Sequence, residues 1–256
     1  MSEDRELLLA QIEKHEPWFY DFDIGGNHVI KSKLPVNIRG IHETRLTMLL
    51  EAVTGHFGDR LSSVDCLDIG CHEGYFSLEI ADRVRSVKGV DVRSESLEKA
   101  ELVRKLKDAK NVSFSRGDCF KLDEAVQDKF DLTLFLGVLY HLDNPLGALR
   151  EVSRVTKELC VIETQVVDEL PGKTEWGSKD WQRDYKGTFA LIDERPEFDS
   201  GNAEAGSFGL SLCPSLGALR VMLEAVGFRQ ITVVNAPVGG YEQHVRGKRV
   251  VVSAAK

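Results

Sequence analysis

No apolar run in the 256 residues approaches the roughly 20 needed to cross a bilayer, so no membrane partner is expected. Basic residues do not outnumber acidic ones. There are 33 Lys and Arg against 41 Asp and Glu, for a net charge of −8. That balance excludes a whole-surface electrostatic grip on nucleic acid, although it leaves room for a local basic patch. Cysteine is sparse: five residues, an odd number, with no C-x-x-C pair. Reduced thiols, no metal site and a cytoplasmic setting are the expectation. The first residues, "MSEDRELLLAQIEKHE", are acidic and amphipathic and lack the pattern of a signal peptide. Internal repeats and low-complexity tracts are missing too.

What is present is a regular alternation of short apolar runs and amphipathic stretches. Strands are predicted near 64–69, 87–91, 112–116, 130–136 and 159–167. Helices are predicted near 74–84, 94–108 and 143–156, with a short one near 121–126. Such alternation implies an α/β fold, a doubly wound and mainly parallel sheet covered on both faces. A helix near 214–226 and strands near 228–234 and 247–254 continue it, the last two able to pair antiparallel at the edge. Helices are also expected at 3–15 and 42–57, with an aromatic, turn-rich segment at 17–40 between them. Residues 1–58 therefore form an N-terminal cap segment ahead of a domain spanning 59–256. Residues 168–212 break the rhythm and carry Trp176, Trp181, Tyr185, Phe189 and Phe198. A long irregular stretch inside a compact domain suggests a lid-like insertion.

In an open α/β sheet, ligands bind beyond the carboxyl ends of the strands. The first strand–turn–helix, "VDCLDIGCHEGYFSLEIADRV", holds Gly70-Cys71-His72-Glu73-Gly74 at that point. A dinucleotide fingerprint needs G-x-G-x-x-G so that backbone can approach a diphosphate. His72 stands where the second glycine belongs and Tyr75 where the third belongs, so a nicotinamide coenzyme is disfavoured. S-adenosylmethionine (SAM) carries no phosphate and fits better. Asp68 and Glu73 are the nearby carboxylates for its ammonium. Asp91, at the end of the second strand, suits the ribose hydroxyls. Asp118 and Cys119, after the third strand, suit the adenine. His72 itself is expected on the surface of the first turn.

"LDIGCHEGYFS", "GVDVRSESL", "SRGDCF" and "FDLTLFLGVLYHLDNPLGAL" together resemble the class I SAM-dependent methyltransferases. That resemblance implies a Rossmann-like seven-stranded sheet with a C-terminal antiparallel strand. It implies that Asp68, Gly70, Cys71 and Gly74, with Glu73 and Tyr75 in the same turn, surround the methionine part of the cofactor. By the same resemblance Asp91 and Val92 take the ribose, Asp118 and Cys119 the adenine, and Leu136, Gly137 and Tyr140 lie beside the sulfonium. "GVLYHLDNPL", "VIETQVVD", "CPSLGALRVMLEAVGF" and "GKRVVVSA" are similar to the bacterial wobble-uridine tRNA carboxymethyltransferase and its methyltransferase relatives. In that enzyme a carboxylated SAM is held by a lysine upstream, a tyrosine matching Tyr140 and an arginine matching Arg249. The upstream lysine has no assigned counterpart here, so ordinary SAM is the expected cofactor and carboxy-S-adenosylmethionine the alternative.

Methyl transfer asks the protein mainly to hold donor and acceptor in line, and asks for a proton acceptor when the nucleophile must lose a proton. His141 is the candidate base, with Tyr140 along the methyl path and Glu163 facing the same cleft. Tyr20, Trp181 and Arg249 are candidate acceptor-binding residues. The expected function is methylation of an oxygen or nitrogen on a small molecule. Modification of a tRNA wobble uridine and a non-catalytic SAM-binding subunit are the alternatives.

Overall fold

The computed structural model describes residues 3–196 and 209–256. Seven strands form the central sheet. In sequence order they are β3 (Asp65–Ile69), β4 (Ser86–Asp91), β5 (Val112–Arg116), β6 (Phe130–Leu136), β7 (Thr156–Gln165), β12 (Gln230–Val234) and β13 (Arg249–Ala255). Their spatial order is β12-β13-β7-β6-β3-β4-β5. Strands β3 to β7 are mutually parallel, while β13 runs antiparallel to both β7 and β12. The order reverses between β3 and β6, where a doubly wound sheet opens its crevice.

Helices cover both faces because the sheet is apolar on both. Cys66, Leu132 and Leu134 face one core, with Met48, Leu49 and Val53 of helix α2 (Val36–Phe57). Leu67, Ile69 and Phe135 face the other, with Leu149 and Val152 of the helix Pro145–Val155. That helix starts where the sequence says it should. Pro145 occupies the first turn, and the Asn144 side chain accepts from the Gly147 N–H at 2.9 Å. The helix Leu216–Ala225 is capped in the same way by Ser215.

Two features position the site. Helix α2 begins at Val36, earlier than expected, and its buried face runs through His42, Arg45, Leu49 and Val53 at helical spacing. Arg45 is thereby carried beneath the end of β6. Ahead of α2, the aromatic segment forms a small hairpin, β1 (Phe22–Asp23) with β2 (Val29–Ile30), and buries Trp18, Tyr20 and Phe22. Helix α1 (Glu3–Lys14) packs behind it, where the Arg5 guanidinium donates to the carbonyls of Ile24 and Leu106.

The insertion divides into two hairpins. Strands β8 (Lys173–Ser178) and β9 (Trp181–Asp184) pair only with each other and are exposed on both faces. Strands β10 (Phe189–Asp193) and β11 (Leu210–Pro214) pair together, and β11 is tied to the main domain by Leu212 N–H donating to Leu142 O at 2.8 Å. Only this second hairpin behaves as a cover for the cleft. Phe198 lies outside the described residues.

Candidate active site

A cavity of about 600 Å³ opens along the carboxyl edge of the sheet. Every parallel strand from β3 to β7 ends there. Strand β13 runs the other way, so its first residue, Arg249, arrives at the same edge opposite Gln165.

The floor is the turn after β3. Gly70 has a φ of +73°, and a Cβ there would meet the Val138 side chain at 2.4 Å. Only glycine fits this closely packed left-handed position. His72 also adopts a left-handed conformation, with φ +51°. The surface placement expected for His72 is corrected, because it lines the cavity and its Nδ1 is buried. Burial, reinforced by the surrounding cations Arg93, Lys99, Lys33 and Arg45, brings its pKa down to about 3. It is therefore a neutral imidazole. Its backbone N–H donates to Asp91 Oδ2 at 2.9 Å, while Asp91 Oδ1 accepts from Arg93 N–H at 2.9 Å. Asp91, which lines the cavity, is thus held at the end of β4 by two backbone N–H groups.

Val92, Asp118, Cys119, Leu136 and Gly137 also line the cavity, as do Tyr20, Tyr140, His141 and Arg249. Asp118 Oδ1 accepts from the Phe120 N–H at 2.9 Å, closing a turn after β5. Burial, helped by Asp118, pushes the Cys119 thiol up to about 12, so it is a neutral donor. Tyr20 stacks flat on Tyr75, with ring centres 4.9 Å apart.

Other expected residues sit behind the wall. Asp68 is buried beneath the turn, where its Oδ2 accepts from Ser77 Oγ at 2.6 Å. Burial raises its pKa to about 6 against the pull of Ser77. Cys71 is buried, and Tyr75 serves as the platform under Tyr20. Gly74 caps the following helix at φ +78°, where a Cβ would meet Phe114 at 2.7 Å, so it sets helix packing.

Glu73 does not lie free for a ligand ammonium, which corrects its placement. It is 2% exposed, and its Oε2 accepts from the Phe19 N–H at 2.8 Å and the Tyr20 N–H at 3.3 Å. Its Oε1 takes the Lys99 ammonium at 3.2 Å, and Lys99 also donates to Pro17 O at 2.7 Å. The carboxylate ties the aromatic segment to the turn. Glu73→Ala should therefore free Phe19 and Tyr20 and strand a buried ammonium. Amide exchange at those two residues is expected to speed up more than at β6, whereas Glu73→Gln should keep part of the protection. Equal protection in wild type and Glu73→Ala would refute the tie.

Glu163 is also behind the wall, 0% exposed and not among the residues that line the cavity. Its Oε1 accepts from Arg249 Nη1 at 2.9 Å, and its Oε2 pairs with Arg45 Nη2 at 3.1 Å. His244 Nε2 lies 3.4 Å away. Burial alone would push the carboxyl up. Arg45 and Arg249 reverse that and hold it well below the usual carboxylate range, so it stays ionised. Arg249 Nη2 donates to the Tyr140 hydroxyl at 3.1 Å. The Glu163 carboxylate thus ties the two arginines together.

Trp181, expected at the acceptor site, lies elsewhere. It is 59% exposed on the β8–β9 hairpin and is not among the cavity residues. Among the described residues that hairpin makes no ladder with any other strand. Trp176 is covered instead by the Arg183 guanidinium at 4.3 Å.

Among the wall residues that the sequence did not single out are Arg45, Arg93 and Glu194, while Phe19 lies in the aromatic segment at 17–40. Arg93 had a usable signal, since it follows Asp91 by two residues in "VDVRSES". Arg45 and Glu194 had none, because each meets its partner only through the fold. Glu194 lies 3.0 Å from His141 Nδ1 through both carboxylate oxygens and accepts from Ser211 Oγ at 2.9 Å. Among the described residues, no group of three or more His, Cys, Asp or Glu is placed to hold a metal ion. No described helix is long and apolar enough to cross a membrane.

The sheet order, the glycine turn and the acids at the tips of β4 and β5 define a class I methyltransferase fold. A family model described as "Methyltransferase domain" matches residues 61–206. The chain belongs to that family. Among curated proteins, the ubiquinone biosynthesis O-methyltransferase of Rickettsia akari is 26% identical over 147 residues, covering 56% of this chain and 53% of that one. The O-antigen chain terminator bifunctional methyltransferase/kinase WbdD of Escherichia coli is 28% identical over 118 residues, covering 44% of this chain and 16% of that one. The chain spans about half or less of the length of these relatives. Among solved structures, the N-terminal domain of EvdMO1 with SAH and D-fucose aligns with a TM-score of 0.69 at 24% identity, covering 100% of this chain and 97% of that one. Magnesium protoporphyrin IX methyltransferase of Synechocystis PCC 6803 with bound SAH gives a TM-score of 0.58 at 13% identity, covering 88% of this chain and 90% of that one.

Proposed function

We propose that the protein binds SAM in this cavity and methylates an oxygen or nitrogen of a small-molecule acceptor. The observation that carries the reading is that Asp91 and Asp118, at the ends of β4 and β5, line one cavity with the turn after β3, which lacks the second and third glycines of a diphosphate fingerprint. Two carboxylates and the His72 side chain would repel or crowd a diphosphate. They suit ribose hydroxyls and an exocyclic amine. A cavity of about 600 Å³ has room for a nucleoside and a small acceptor together. When bound, SAM supplies a methyl carbon activated by a sulfonium, and the C–S electron pair returns to sulfur on transfer.

The chain's own residues then have separate duties. Asp91 holds the ribose, and Asp118 and Cys119 the adenine. Leu136 and Gly137 keep water from the sulfonium. Phe19 and Tyr20, on the segment 1–58 that we regard as a cap, form the opposite wall. His141 accepts the acceptor's proton. Arg249 and Tyr140 orient the acceptor. The neighbour crystallised with SAH and D-fucose supports a hydroxylated small molecule as acceptor.

Calorimetry with SAM and NAD side by side tests the reading: SAM should bind and NAD should not. His141→Ala should lower turnover by about 10²-fold or more while SAM binding persists, the usual contribution of a positioned base. Unchanged turnover would remove His141 from the chemistry.

One observation favours a second reading. The Arg249 guanidinium and the Tyr140 hydroxyl stand together on the wall, 3.1 Å apart, where a carboxylate on the donor would meet both. In that case the cofactor is carboxylated SAM and the acceptor a tRNA wobble uridine. Mass spectrometry of the nucleoside that co-purifies separates the two, and tRNA binding that is lost on raising salt would favour the second.

A further inference from the structure

We propose that Glu194, carried to the cleft by the insertion, is the positioning residue that makes His141 a proton acceptor, so that the β10–β11 hairpin completes the catalytic centre; this rests on the methyl-transfer reading above. His141 Nδ1 lies 3.0 Å from each Glu194 oxygen. A carboxylate in that position accepts a hydrogen bond from Nδ1–H. The ring is then held in the tautomer whose Nε2 carries the lone pair. Glu194 is itself held. Its Oε1 accepts from Ser211 Oγ at 2.9 Å, its backbone N–H donates to Gly209 O at 2.8 Å, and Leu212 N–H fastens β11 to the His141 turn. The carboxylate is therefore aimed from the hairpin, independently of the sheet that carries His141.

Charged and titratable groups reach His141 from every side. Glu194 comes from the insertion, Arg249 from β13 and Arg93 from the turn after β4, while Tyr140 lies against the ring at 4.1 Å and Cys213 lines the same end of the cavity. Burial lowers the imidazole pKa, the two arginines add to that, and Glu194 opposes them. Without Glu194 the ring would be a weaker base of undefined tautomer. In the step itself, the acceptor's O–H or N–H bond breaks and the proton goes to His141 Nε2. The electron pair left on the acceptor atom forms the bond to the methyl carbon, and the C–S pair passes to sulfur.

Imidazole 15N spectra of the full chain across pH test the proposal without knowledge of the acceptor. The His141 signals are assigned by their loss in His141→Gln. In wild type the neutral ring should be the Nδ1–H form. Glu194→Gln should mix the tautomers and move the His141 titration down by about one pH unit, the scale of one charge-assisted hydrogen bond. An Nε2–H ring in the wild type would overturn the assignment whether or not any variant folds, and so would an unchanged tautomer in a folded Glu194→Gln. Failure of wild type to bind SAM by calorimetry would instead refute the methyl-transfer reading and leave the His141–Glu194 spectra unaffected.

Discussion

Asp91→Ala is expected to weaken SAM binding by about 10²–10³-fold, while Cys66→Ala leaves it within about twofold. Hydrogen bonds to a charged group are worth about 1.5–3 kcal/mol each, and a ribose diol offers two. The loss is larger than that of a ligand contact alone. Asp91 also accepts the backbone N–H groups of His72 and Arg93, and both would lose their partner. The turn after β3 would then relax together with the end of β4. Asp91→Asn keeps one oxygen acceptor and should fall between the two. Cys66 is also buried, but it points from β3 into the hydrophobic core and does not line the cavity. Its truncation should lower thermal stability and spare affinity. Calorimetry on the three variants decides the matter, and equal effects of Asp91→Ala and Cys66→Ala would remove Asp91 from the ribose site.

The contrast between Asp91 and Glu73 shows what sequence can carry. Asp91 ends a parallel strand, and the strand's own periodicity and direction deliver its carboxylate to the crevice. Five parallel strands and the antiparallel last pair were legible for the same reason, since alternation and short apolar runs are local signals. Glu73 sits in the same motif, yet its role is set by the amides of Phe19 and Tyr20, more than fifty residues earlier. Glu194 and His141 are likewise 53 residues apart. Nothing in the spacing of either pair announces the contact. The insertion misled in another way. Its aromatics suggested a cover, but Trp176 and Trp181 decorate a hairpin that pairs with no other described strand, and the cavity is lined instead by Ile192, Glu194 and Cys213.

The largest effect on stability should come from Glu163→Gln. In the wild type one buried carboxylate compensates two guanidiniums, Arg45 and Arg249. Removing the negative charge leaves two buried guanidiniums with no carboxylate between them. Breaking a buried pair by deleting one partner costs about 3–5 kcal/mol. For a chain of this length each kcal/mol moves the melting temperature by about 2–4 °C, so a fall of roughly 10 °C is expected. Arg45→Met is the informative comparison. It removes a cation and leaves Glu163 and Arg249 as a balanced pair, so its cost should be clearly smaller than that of Glu163→Gln despite the larger change in shape. The pH dependence follows from the depressed pKa. Glu163 contributes its stability above the ordinary carboxylate value of about 4.3, and that contribution is lost only as pH falls toward its much lower folded value. The gap in melting temperature between wild type and Glu163→Gln should therefore stay flat from about pH 8 to pH 5 and narrow only in stronger acid. Melting curves across that range provide the measurement, and an Arg45→Met variant as unstable as Glu163→Gln would show that packing, not the uncompensated charge, sets the cost.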